Sequence, residues 1–258
     1  MIMQNFSLSL LAAAGTIFLA ASTNAVVIDL STAGSSGSIN GALFFESDQQ
    51  PSGTGFIDPF LRVQAHGNST FEHGYNTDGG FPLDTKPPHN YQHSVRLDSL
   101  AAFNIGGVSY FKFMLDANQS GGGAGRFGLD RLQFYTSNDP AQTTVVINPN
   151  QTLNLGNLAY NLDLQGDNSI ITHSTGSGKY DLIAFIPTAN FNQADSFLYL
   201  YFASGDTIAA SGGFEEWTAS VNVTPIPELS SFFPIIGLMV AVGSTHVLRR
   251  RRMARTVA

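Results

Sequence analysis

The sequence predicts an all-β fold, a two-sheet, jelly-roll-like β-sandwich, on three observations. Apolar residues recur at every second position in Val108-Ser-Tyr110-Phe-Lys112-Phe-Met114 and in Tyr160-Asn-Leu162-Asp-Leu164-Gln, the period of a half-buried strand. Turn chemistry punctuates the chain at Asp78-Gly79-Gly80, Gly121-Gly122-Gly123, Asn138-Asp139-Pro140, Asn148-Pro149-Asn150 and Ser174-Thr-Gly-Ser-Gly178. Helical periodicity is scarce, with one short turn expected at Ala189 to Ala194.

The elements follow from these signals in order. Phe103-Asn-Ile105 and the strand from Val108 flank Gly106-Gly107, two residues that both tolerate positive φ and so close a tight hairpin. A Gly-rich connection joins the strand ending at Leu115 to one starting at Phe127. Asp181-Leu-Ile-Ala-Phe-Ile-Pro187 and Phe197-Leu-Tyr-Leu-Tyr-Phe202 are apolar on both faces and read as central strands. Ten to twelve strands are expected between residues 26 and 224, and no 20–50-residue repeat points to a solenoid or propeller.

Of 258 residues, 43 % are apolar and 12 % charged, the latter about half the usual share. That suffices for a core and speaks against wholesale disorder. The absence of cysteine removes disulfides, thiolate metal sites and thiol nucleophiles. The chain holds 18 acidic and 7 basic residues between Val26 and Thr224, a net −11 that argues against a nucleic-acid partner.

Both ends read as addresses. Residues 1–25 form a signal peptide: Leu8 to Ala21 is too short to span a bilayer, and Thr23-Asn24-Ala25 suits a cleavage site between Ala25 and Val26. Residues 225–258 form a second address. Leu229 to Leu248 is a 20-residue stretch without formal charge, about 30 Å long as a helix. Arg249, Arg250, Arg251 and Arg252 follow as a stop-transfer cluster, with Arg255 beyond, so the positive-inside rule places the domain outside the cytoplasm.

The pair Pro227-Glu228, the apolar helix and the terminal arginines together resemble the PEP-CTERM sorting signal of Gram-negative bacteria that make exopolysaccharide. The family's usual Pro-Glu-Pro is here Pro227-Glu228-Leu229, whereas insertion depends on hydrophobicity alone. The resemblance implies cleavage by signal peptidase, recognition by an exosortase-type enzyme, and release or transfer to the cell surface. Ser52-Gly-Thr-Gly55 with Asp58-Pro-Phe60, Gly74-Tyr-Asn-Thr-Asp78 and Gly213-Phe-Glu-Glu-Trp217 resemble elements of PEP-CTERM surface proteins with no assigned activity.

Four histidines, His66, His73, His89 and His93, crowd 28 residues. His89-x3-His93 has zinc-helix spacing, but two prolines precede it and no Glu lies between, so loop histidines are expected. Asp116-Ala-Asn118-Gln-Ser120-Gly121 opens like a calcium loop but carries Phe127 where the bidentate Glu belongs. Glu215 and Glu216 beside Trp217 suggest glycosidase carboxylates, yet adjacent strand residues point to opposite faces; one buried acid, one solvated acid and a core Trp are expected instead. Neither a nucleophile elbow nor a phosphate loop is present.

The sequence thus predicts a non-catalytic structural or adhesive protein of the cell envelope or extracellular matrix, anchored by one C-terminal span, with no metal or cofactor. The alternative is a carbohydrate-binding module for exopolysaccharide, with Tyr75, Tyr91 and Trp217 as stacking rings; the third reading is a secreted glycan hydrolase.

Overall fold

The computed structural model describes residues 25–47, 58–119, 125–143, 153–174, 176 and 178–222. Two compact units divide the chain, Met1–Ser220 and Val221–Ala258, and every strand named below belongs to the first. In chain order these are β1 (Val27–Leu30), β2 (Ser36–Ile39), β3 (Ala42–Glu46), β4 (Leu61–Val63), β5 (Glu72–Tyr75), β6 (Val95–Arg96) and β7 (Ala102–Ile105). They continue as β8 (Val108–Ala117), β9 (Arg126–Ser137), β10 (Asn157–Asn161), β11 (Ser169–His173), β12 (Leu182–Pro187), β13 (Phe197–Ser204) and β14 (Glu215–Ala219). Helix is limited, among the described residues, to three single 3₁₀ turns at His89–Tyr91, Leu97–Ser99 and Thr188–Asn190.

The strands form two seven-stranded sheets. The first runs β1-β11-β9-β13-β5, with β10 also on β9 and β6 on β13; the second runs β2-β3-β12-β8-β14-β4, with β7 on β8. Only the β1–β11 pairing is parallel among them. The expected hairpin is present: Gly106 and Gly107 take φ of 61° and 86° and set Ile105 opposite Val108. β12 and β13 are interior strands, as their two apolar faces require, flanked by β3 and β8 and by β9 and β5.

Two differences from the sequence reading have clear causes. Alternation through Tyr160, Leu162 and Leu164 does not carry a strand that far, and β10 stops at Asn161. There the Asn161 side chain accepts the Asp163 N–H at 3.1 Å, an Asx-turn that diverts the backbone and leaves Leu164 exposed. Among the described residues there are fourteen strands where ten to twelve are expected, because β2 (Ser-Gly-Ser-Ile) and the two-residue β6 carry too little apolar signal to count.

Inward residues of both sheets belong to one apolar cluster. Phe113 of β8 meets Phe134 of β9 with ring centroids 4.5 Å apart, and Trp217 of β14 lies 6.1 Å from Phe202 of β13. Fully burying each such ring contributes roughly 1.5–3 kcal/mol, so this seam is where the fold draws most of its stability. The other face of the first sheet has a smaller core in which Tyr75, Tyr135, Tyr199 and Tyr201 are covered by Leu153 and Leu155. The Tyr135 hydroxyl accepts the Leu153 N–H at 2.9 Å and pins that covering segment.

Candidate functional site

The first expected site lies at the start of the described chain. Ala25 and Val26 are exposed and stand just before β1. The Val26 N–H donates to Asn168 Oδ1 at 2.8 Å and its carbonyl accepts the Ser169 N–H, so a chain beginning at Val26 keeps β1 seated beside β11. Pro227, Glu228 and Arg249 to Arg252 lie outside the described residues, as does Leu229 to Leu248. Among the described residues no helix is long and apolar enough to cross a membrane.

One end of the two sheets gathers acids. Glu72 projects inward from β5 and Glu215 inward from β14, both fully buried, and their carboxyls adjoin one another. Glu72 also accepts the Ala65 N–H at 2.9 Å and the Ser204 hydroxyl at 3.0 Å, while the Gln119 amide donates to Glu215 Oε1. Glu215 Oε2 has no hydrogen-bond partner, and two adjoining buried carboxyls oppose each other's ionisation. Burial, then the adjacent Glu72, pushes Glu215 well above the usual carboxylate range; burial also raises Glu72.

Nearby, Asp116 on β8 accepts the Gly178 N–H at 2.6 Å through Oδ2, and burial pushes it up to about 7. Asp181 accepts the Ala117 N–H at 2.8 Å and faces His173 Nε2 at 3.6 Å. Sequence spacing gave no sign of the Glu72–Glu215 pair, because the partners are brought together from different sheets.

The adjacent acids behave as the strand period demands. Glu216 points to the opposite face from Glu215 and lies 4.0 Å from Arg62, whose guanidinium covers Tyr91 and Phe214. Trp217 is core. Two of the three candidate sugar-stacking rings are therefore unavailable: Tyr75 and Trp217 are both 0 % exposed. Trp217 turns into the core between the sheets and Tyr75 into the smaller core on the other face of the first sheet, while Tyr91 presents a ring face to Arg62.

The four histidines do not converge. His66 is exposed beside Lys86, His73 sits on β5 within 3.2 Å of the Tyr201 hydroxyl, His89 stacks on Phe81 at 4.5 Å, and His93 bonds the Ser94 carbonyl. His73 is therefore a strand residue rather than a loop one, and burial lowers its pKa. His89 opens a single 3₁₀ turn after two prolines that ends at Tyr91, and His93 lies beyond it, so the two do not share a helix face. Among the described residues no group of three or more His, Asp or Glu is placed to hold a metal ion. Asp116 of the calcium-like stretch is a buried strand residue; Ser120 and Gly121 lie outside the described residues.

The outward face of the second sheet carries a patch the sequence reading passed over. Phe103 and Ile105 of β7 pair with Tyr110 and Val108 of β8, which places all four on one face. Phe185 of β12 joins them edge-to-face, 6.1 Å from Phe103 and 6.3 Å from Tyr110, and Phe45 of β3 lies 5.8 Å beyond. Phe103 and Val108 are 37 % and 46 % exposed. The available signal was that Val108 to Met114 is apolar at odd and even positions alike. Near the same end, a polar hollow of about 240 Å³ is lined by Arg96, Asp98, Gln193 and Asp195; Arg96 and Asp98 are paired at 2.6 Å, and Asp195 accepts from Thr136 and Asn157.

No protein-family model, curated protein or solved structure matches the chain.

Proposed function

We propose that this is an exported structural or adhesive protein of the cell envelope or extracellular matrix, delivered by residues 1–25 and anchored by the span at 229–248. Its domain is a β-sandwich of jelly-roll type. The sharing of one apolar cluster by both sheets supports that closure, and so does the alternation of β11, β12, β13 and β14 between them. The observation that carries the functional reading is the order of the C-terminal segment: Pro227-Glu228, twenty residues without formal charge, then four consecutive arginines. Exosortase-type processing at Pro227-Glu228 is part of the proposal, and so is a Gram-negative surface as the destination.

The domain supports it in a further way. Its best-buried acids and rings are engaged with one another, Glu72 with Glu215 and Trp217 with Phe202, in contacts that join the sheets. Intact mass of the protein recovered from membrane and from culture medium tests the reading. A released form beginning at Val26 and ending near Glu228 is expected. Recovery only as a soluble cytoplasmic chain retaining Met1 would refute it.

A further inference from the structure

β1 is an edge strand of the first sheet, held by parallel pairing with β11 from Val27 opposite Ser169 to Leu30 opposite Thr172. Its lead-in is fixed at Val26, whose N–H donates to Asn168 Oδ1 at 2.8 Å and whose carbonyl accepts the Ser169 N–H at 3.0 Å. Asn168 is 3 % exposed and its donors are committed: Nδ2 donates to the Leu162 carbonyl at 2.7 Å, and the N–H to Asp163 Oδ1 at 2.9 Å. Asn40, between β2 and β3, donates to the Asn161 and Leu162 carbonyls and ties the same turn to the second sheet. Asn168 Oδ1 is therefore a preset acceptor aimed at the Val26 nitrogen. The turn also carries Asp163 and Asp167, and among the described residues no Lys, Arg or His forms an ion pair with either. Arg131, the cation that bears on Asp163, pairs with Asp206 at 3.0 Å, and Asp29 of β1 pairs with Arg126 at 2.8 Å. Asp130 adds further negative charge beside Asp163.

We infer that the turn of residues 162–168 is a seat for the α-ammonium released at Val26, so that removal of residues 1–25 locks β1 onto β11 and makes the mature domain more stable than its precursor. The inference rests on the proposed cleavage after Ala25. While Ala25 is attached, the Val26 nitrogen offers the turn one proton and no charge. Hydrolysis adds water across the Ala25–Val26 bond, leaving a carboxylate on Ala25 and an α-ammonium with three protons on Val26. One proton keeps the bond to Asn168, which becomes charge-assisted. Val26 is 45 % exposed, so the other two stay hydrated and the charge costs little to place. The new cation also answers the turn's unpaired carboxylates. Burial, then Asp167 and Asp130, pushes Asp163 up to about 6, against the Asn168 N–H and Arg131.

The test compares two forms of the full mature chain from Val26 in detergent, one with a free α-amine and one Nα-acetylated at Val26 alone. The acetyl group restores the neutral amide that Ala25 supplies in the precursor, so the forms differ by one charge and keep the same N–H for Asn168. Thermal unfolding is followed by emission of the buried Trp217. At about pH 7 the free form is expected to melt roughly 1–3 °C higher, the shift of a partly exposed charge in a domain of this size. An α-amine ordinarily titrates at about 7.7–8.0, and nearby carboxylates raise that value on folding. The gain is therefore full below that range and lost as pH rises past the folded value. High salt should shrink it. Asp163→Asn, which keeps an acceptor for the Asn168 N–H, and Asp167→Asn, at an exposed position, should each reduce it. Equal melting of the free and acetylated forms at neutral pH overturns the seat, and so does a difference that survives deprotonation of the amine. Intact mass of the exported chain reports the cleavage separately. A mature chain starting elsewhere than Val26 overturns that reading, whereas one that starts at Val26 and melts like its acetylated form overturns the seat alone.

Discussion

Asp116→Asn makes the buried acids of this fold measurable. Asp116 is 1 % exposed, its Oδ2 accepts the Gly178 N–H, and its Oδ1 has no hydrogen-bond partner. Burial is the main reason its carboxyl is pushed up to about 7 from 3.8, with Asp181 and Glu216 adding repulsion. A group raised on folding stabilises the fold below its unfolded value and loses that contribution as pH rises through its folded value. The folded chain then holds a proton that the unfolded chain has released, and stability falls by about 1.4 kcal/mol per pH unit across the window. Between 3.8 and about 7 the loss is on the order of 4 kcal/mol.

Asparagine keeps an acceptor for Gly178 and cannot ionise. At pH 4 the variant is expected within about 1 kcal/mol of the parent. At pH 8 it is expected to be more stable by roughly 3–4 kcal/mol, a rise of about 10 °C in Tm for a domain of this size. The assay is thermal unfolding of the detergent-solubilised full chain at pH 4 to 8, followed by fluorescence of Trp217, the single tryptophan. Parallel pH curves for parent and variant would refute the reasoning. So would a variant less stable at pH 8, which would mean the carboxylate is ionised and held by a cation.

Further outcomes follow from other contacts. Glu215→Gln removes one member of the buried carboxyl pair, so stability above neutral pH should rise relative to the parent; urea titrations at pH 5 and 8 check the sign. Phe113→Ala should cost about 3–5 kcal/mol, because its ring fills the seam between the sheets against Phe134, and a shifted urea midpoint reports it. Gly213→Ala should prevent stable folding: a Cβ there would sit 1.2 Å from the Asn118 carbonyl oxygen, whereas Gly41→Ala meets no atom and should cost only about 1 kcal/mol for its positive φ. Soluble yield and circular dichroism distinguish the two. Asn76→Ala should cost several kcal/mol, since the buried amide donates to the His93 and Leu198 carbonyls and accepts the Leu200 N–H, tying β5 to β13.

The fold was legible where one local rule decides an element. Gly106-Gly107 between two alternating runs can do little but close a hairpin, and β12 and β13 announce their interior positions by having no polar face. The rule failed where a side chain competes with the ladder, as Asn161 does at the end of β10, and where a strand lacks apolar residues, as β2 does. Alternation also does not say which face is inner when both are covered. Tyr75 reads as an outward ring, yet Leu153 and Leu155 cover that side of its sheet. The acidic pair was illegible for a different reason: Glu72 and Glu215 stand 143 positions apart, and only packing of one sheet on the other joins them. The outward patch was legible in principle, because Val108, Tyr110 and Met114 are apolar on the face opposite Phe111 and Phe113.

The central claim is that the domain stands outside the cytoplasmic membrane. The chain has no cysteine, so Ala209→Cys supplies one exposed thiol on an otherwise thiol-free protein. Labelling of intact spheroplasts with a membrane-impermeant maleimide reads its side directly. The account predicts full labelling before lysis; a thiol protected until the membrane is opened would contradict it.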